Sequence, residues 1–368
     1  MGEELVRDMD RVYREGYDAY EGTLFDVRVV VAGMPRDVKD GFRLDDVPWE
    51  RFLLGHGTDG EASAKRWLTQ ARSGDARAAD HAPVMLSGLM AHQTSVYATA
   101  PLAVPFLLRL AADPSAHGRA HAFGLVTGVA RRQHWGLGNR DAFLRTARPG
   151  LWVGCDGYAM HWAIEASRHA VTTDTDLLLG LLHDPDPQIR AQACYTLATA
   201  SGNADRITSA LRTRLATEKA PGVRASLVLA VAELAREHAD PLAAAWFEAL
   251  WSDPGRPADV RVPAALAWLC LTDDPVPDNL SATVDALDTD DLARVLDDVT
   301  WFRHVNDENG LTDTLGQMLD RAEPATNFDP PFQGPPPAVR CAFRALRGQL
   351  TAPPSPRAGP SLPGAGRS

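Results

Sequence analysis

One short phrase recurs along this chain of 368 residues and limits what it can fold into. It reads Pro187-Gln188-Ile189-Arg190, Pro221-Gly222-Val223-Arg224, Pro257-Ala258-Asp259-Val260-Arg261 and Pro337-Ala338-Val339-Arg340. The arginines are 34, 37 and 79 residues apart, so the last interval is close to a double one. A phrase that returns at this period, and each time opens an apolar helical stretch, marks a chain of stacked two-helix units. Such a chain buries its core between neighbouring units and leaves an extended surface for a partner.

In each phrase the proline suits a first helical turn, where its missing N–H costs nothing. The apolar residue before the arginine then begins a stripe. Val223 continues through Leu227, Ala230, Val231 and Leu234; Val260 through Ala264, Ala267, Trp268 and Leu271; Val339 through Phe343, Leu346 and Leu350. These spacings keep to one face of an α-helix. Ile189 continues the same way through Ala193, Leu197 and Ala200. Accompanying helices are expected along Ile207, Leu211 and Leu215, and along Leu242, Ala245, Trp246, Ala249 and Leu250.

Halving the double interval predicts a degenerate unit, with Asp290 to Leu296 opening one helix and Leu311 to Leu319 supplying its mate. Arg119 lies 71 residues before Arg190, which predicts an off-pattern repeat around Tyr158 to Leu182. Residues 1–48 read as an irregular N-terminal cap, in which Glu3 to Tyr20 has helical and Val27 to Val31 strand composition. Residues 49–350 read as the solenoid. Residues 351–368 are dominated by Pro, Gly, Ser and Ala, the composition of a disordered tail.

The stretch Asp184-Pro185-Asp186-Pro187-Gln188-Ile189-Arg190 resembles the start of a HEAT repeat, and the other three phrases are similar to it. The resemblance implies an all-α, right-handed α-solenoid of about six to seven HEAT-like helical pairs. It also implies that Ile189, Val223, Val260 and Val339 enter the core. Arg190, Arg224, Arg261 and Arg340 would then join acidic residues in a ladder between units. Nothing acidic immediately precedes Arg224 or Arg340, which predicts an incomplete ladder. A second resemblance runs from Pro48-Trp49 through Leu54-Gly55-His56-Gly57 to His92 and Pro101 to Pro105. That part is similar to the front half of uncharacterised actinobacterial HEAT repeat domain-containing proteins, and it implies a fold and no catalytic residues.

Composition narrows the function classes. With 45% hydrophobic residues the chain has material for a continuous core. A net charge of −11 speaks against sequence-independent binding to phosphate backbones. Cys155, Cys194, Cys270 and Cys341 share no metal-ligand spacing, which fits a reducing compartment without disulfides. The opening Met1 to Asp8 lacks the apolar core of a secretory signal. No apolar run is long enough for a membrane span, so a cytoplasmic location is expected.

Four places could carry chemistry. His92, Gln93, Thr94, Ser95, Tyr97 and Thr99 form a dense polar stretch, readable as a binding loop or as a turn in which Thr99 caps the next helix. Residues 271–320 hold thirteen acidic side chains against Arg294 and Arg303, including Asp285, Asp288, Asp291 and Asp298. They read as a solvated face or as a landing surface for a basic protein. The Gly- and Trp-rich stretch His134 to Tyr158 interrupts the repeats and carries Cys155 near Asp156 and His161. It reads as a long connection or as a functional insertion. His117 and His121, four residues apart, have no third metal ligand in the sequence nearby.

The leading expectation is a non-catalytic intracellular scaffold or adaptor. It would hold another protein on a concave or acidic surface through His92, Gln93, Tyr97, Asp285, Asp288, Asp291 and Asp298, with no cofactor and no metal. An enzyme with its site between His92–Thr99 and residues 134–158 is the alternative. A nucleic-acid-acting enzyme is third, and the acidity opposes it. The chain contains no His-Glu dipeptide, which sets it apart from iron hydroxylases built on HEAT repeats.

Overall fold

The structure, a computed structural model, describes residues 16–52, 60–92, 95–131, 140–144, 158–303 and 310–319. Val339, Arg340, Gln93, Cys155, Cys341 and the expected tail 351–368 lie outside the described residues. The described chain is helical apart from one two-stranded hairpin.

Five antiparallel pairs and a shorter terminal group make the stack. They are α3 (Gly60–Ala71) with α4 (Ala76–Met90), α5 (Ala100–Ala112) with α6 (Arg119–Ala130), and α9 (Thr175–Leu181) with α10 (Pro187–Leu197). Next come α11 (Ala204–Leu215) with α12 (Pro221–Glu237), and α13 (Ala243–Trp251) with α14 (Ala258–Leu271). The second helices form a continuous row, α4 on α6 on α10 on α12 on α14, while α3, α5, α9 and α11 form a parallel row. One apolar core runs through the stack, from Tyr20 to Met318. This is the all-α solenoid architecture.

The recurring phrase opens the second helix of its unit. Pro187 and Pro221 occupy first-turn positions, and Asp186 caps α10 by accepting the Gln188 amide at 2.8 Å. Ile189, Val223 and Val260 take equivalent core positions at 2 to 3% exposure. Ala193, Leu197, Leu227, Leu234, Ala264 and Ala267 are buried behind them, as their spacing predicts.

Four expectations need correction. Val27 to Val31 is not a strand: α1 (Val27–Ala32) is a helix capped by Asp26, which buries Val27 and Val31 against α8 (Met160–Thr173). Tertiary packing of residues four apart outweighs the β-propensity of valine. The Tyr158 hydroxyl fastens this region, donating to Phe25 O at 2.7 Å and accepting the Val27 amide at 2.9 Å.

Thr175 to Leu182 is not part of an extra repeat but the first helix of Arg190's own unit. Among the described residues, the short helix Arg140–Phe143 and α8 lie between the two units in sequence, and α8 packs on α1, α5 and α6. The units of Arg119 and Arg190 are therefore spatial neighbours despite their 71-residue separation.

In α13 the buried face is Ala243, Phe247, Leu250 and Trp251, while Leu242 is 76% exposed. Both registers have helical spacing, and the one that buries Phe247 and Trp251 removes more apolar area from water.

Finally, the second helices of the last two units, α12 and α14, are covered on every side over most of their length. All residues from Ala225 to Ala235 in α12, and from Val262 to Leu269 in α14, are buried. A helix apolar all round must be enclosed. The enclosing elements include α16 (Asp290–Asp297), α17 (Thr300–Arg303) and α18 (Gly310–Leu319). The expected terminal helices therefore exist, but α16 and α17 lie across the row instead of extending it.

Candidate functional site

The N-terminal ends of the second helices carry an arginine ladder. Arg119 Nη2 meets Asp184 Oδ2 at 2.6 Å. Arg190 grips Glu218 with two bonds of 2.9 Å, and Arg224 grips Asp259 at 2.6 and 2.8 Å. Each acid belongs to the unit after its arginine. Each guanidinium also donates to a carbonyl of its own unit: Ala111 O, Asp184 O and Lys219 O for the three in turn. Arg261 keeps the carbonyl bond, to Trp251, but faces Thr283 where an acid would stand.

The ladder expected to be incomplete thus has three consecutive rungs. Its missed member is Glu218, six residues before Arg224, the same offset that separates Asp184 from Arg190. Burial pushes the Glu218 carboxyl up, but bonds from Arg190, the Ala220 amide, Arg214 and the Lys219 amide outweigh it and hold it at about 2.

The C-terminal ends of the same row carry a different cluster, which no local sequence pattern marks. Arg131, just past α6, pairs with Glu233 of α12 at 3.0 Å, with the two side chains 4% and 2% exposed. Its guanidinium lies 3.5 Å from the centre of the Tyr195 ring and donates to Tyr195 O at 2.5 Å. Trp301 of α17 closes the cluster: its indole N–H donates to Glu233 Oε2 at 2.8 Å, and its ring meets Tyr195 edge-on at 4.6 Å. Phe302 packs on Phe143, which brings part of the 134–158 stretch into the core.

The residues proposed from sequence do not converge. Ala91–His92 and Ser95–Val96 form a short antiparallel hairpin, which continues in a bond from the Tyr97 amide to Met90 O. Tyr97 is 1% exposed, so it belongs to the core and offers no surface to a partner. Thr99 stands at the N-cap of α5 without making the side-chain capping bond. Thr99 is buried as well, so the capping-turn reading holds for its position and not for its hydroxyl.

His117 and His121 are exposed, and no group of three or more metal-ligating side chains occurs among the described residues. Cys194 is buried, which pushes its thiol up. Cys270 lines a half-open cleft of about 390 Å³ beside Arg236 and Asp240.

The acidic residues stay on the surface. Asp285, Asp291 and Asp298 are exposed and Asp288 is half-buried, with Asp273, Asp274, Asp290 and Asp297 also exposed. Arg294 pairs with Asp291, and Arg303 meets Asp298 at 2.9 Å.

Antiparallel helix pairs in two parallel rows, tied by a ladder between units, define an α-solenoid. Within it, residues 175–201 match the family model of the HEAT repeat. The match covers α9, the Asp184 turn and α10, the unit that holds the central ladder arginine. No curated protein and no solved structure matches the chain. No helix among the described residues is long and apolar enough to cross a membrane.

Proposed function

We propose that this chain is a non-catalytic, cytoplasmic scaffold that holds a basic protein partner on the acidic surface of residues 273–298. HEAT repeats commonly serve protein interaction, and residues 175–201 match the family model of that repeat. The observation that carries the reading is the exposure of Asp285, Asp290, Asp291, Asp297 and Asp298 on the last units, while α12 and α14 behind them are covered by the chain itself. Carboxylates in such an array raise the encounter rate with a basic partner and make capture salt-dependent.

The test compares the native chain with the Asp285→Asn, Asp288→Asn, Asp291→Asn, Asp298→Asn variant in partner capture at low and high salt. Loss of capture in the variant, and in the native chain at high salt, is expected. Undiminished capture by the variant at low salt would remove the acidic surface from the interaction.

A further inference from the structure

We infer that residues 290–303 form a removable strap over a recognition groove, and that the groove takes a peptide segment presenting an aromatic N–H or O–H donor to Glu233. The inference refines the scaffold reading by adding a second surface and the kind of segment it accepts.

The strap has two unlike faces. Leu292, Leu296, Val299, Trp301 and Phe302 point inward and are buried, while Asp290, Asp291, Asp297 and Asp298 point outward. It consists of helices of eight and four residues, too short to persist without the surface beneath them. That surface is built from three successive units. Arg131 comes from the end of α6, Gln192 and Tyr195 from α10, and Glu233 from α12.

A strap that served only to fill the core would need apolar groups below it, since a buried ion pair adds little net stability over apolar packing. Here the apolar flanks of α12 and α14 lie below it, but so does a polar patch under Trp301, which the strap satisfies incompletely. Trp301 bonds Glu233 at 2.8 Å, but Thr300 reaches Gln192 only at 3.4 Å. Arg131 Nη1 and Gln192 Oε1 are buried with no hydrogen-bond partner among the described residues. One unused donor and one unused acceptor beside an indole-bonded carboxylate describe a site that another segment can fill more completely. The ladder arginines at the other end of these helices, by contrast, all spend their groups on acids and carbonyls.

The probe is a fluorescein-labelled peptide copying residues 294–303, titrated into the full chain, its Trp301→Ala variant and its Trp301→Phe variant. The second variant keeps an aromatic ring but loses the pyrrole half of the indole together with its N–H. Both variants are expected to bind the peptide roughly ten-fold more tightly than the native chain, whose own strap competes. A peptide with Phe in place of Trp should bind roughly ten-fold less.

In the native chain, amides of 292–302 should exchange roughly ten-fold faster than those of 225–234, reporting local opening. Exchange of both stretches at one common rate, with no peptide binding to either variant, would make the strap permanent core and overturn the inference. If both variants unfold, the exchange comparison alone decides. Dimerisation of the variants without peptide binding would make a second copy the occupant and equally overturn it. No partner protein enters the test, so its failure leaves capture on the acidic surface standing.

Discussion

The two ends of the second-helix row solve the same problem in different ways. At the N-terminal end an arginine meets an acid of the next unit three times over, with the arginine side chains 11 to 20% exposed. At the C-terminal end, beside the Arg168–Glu237 pair, Arg131 and Glu233 are shut away under Trp301 at 4% and 2% exposure. The repeated rungs sit where water still reaches the guanidinium, so losing one leaves a partly solvated charge. The Arg131–Glu233 pair has no such outlet. The contrast shows that, in this stack, repetition accompanies modest and replaceable contacts, whereas one unrepeated cluster concentrates the electrostatic cost.

That difference can be broken at the buried end first. Replacing Glu233 with Ala strands the Arg131 charge and is expected to cost about 3–5 kcal/mol in urea unfolding. The double variant Arg131→Met, Glu233→Leu should recover most of that loss, because neither charge is then left uncompensated. A single variant losing under about 1 kcal/mol would mean that the pair is no more shielded than a rung.

A rung is expected to yield less. Glu218→Gln should cost about 1–3 kcal/mol at neutral pH through weakened bonds to Arg190, Arg214 and the two amides. Its pH dependence has a defined sign. The folded Glu218 sits at about 2, below its ordinary 4.5, so its contribution is fully present above pH 4.5 and lost as pH falls toward 2. The gap in unfolding free energy between native chain and variant should therefore close across that window, with an upper bound on the order of 3 kcal/mol. A gap unchanged at pH 2 would show that the carboxylate charge is not what Arg190 holds.

The smallest effect lies in the turn after α12. Ala239 adopts a left-handed φ of 50°, a conformation that glycine enters without penalty. Ala239→Gly should stabilise the chain by about 0.5 kcal/mol, read as a rise in the thermal midpoint. A fall would mean that the methyl group's packing beside Cys270 outweighs the backbone strain.

Much of the fold was legible because a repeat states its pattern more than once. Ile189, Val223 and Val260 were recognisable as core positions, and Asp290 to Leu296 and Leu311 to Leu319 as helices, from spacing alone. Glu218 was legible too, by its six-residue offset, but only to a search wider than the immediately preceding residues. The register of α13 was not. Two helical faces competed there, and the bulk of Phe247 and Trp251 settled the choice.

The candidate site was the least legible part. Tyr97 stands in a polar stretch that in sequence resembles a loop, yet the hairpin turns it into the core. Arg131, Glu233 and Trp301 are separated by 102 and 68 residues, and no local pattern links them.

By itself the sequence determined a stack of helix pairs joined through periodic arginines, because a short-range period of apolar and charged residues is sufficient to specify neighbours. Only the tertiary structure decided that α8 is an insertion and that the last helices turn back across the second-helix row. Those outcomes depend on contacts between distant segments, where Trp301 finds a buried carboxylate that nothing beside it in the chain announces.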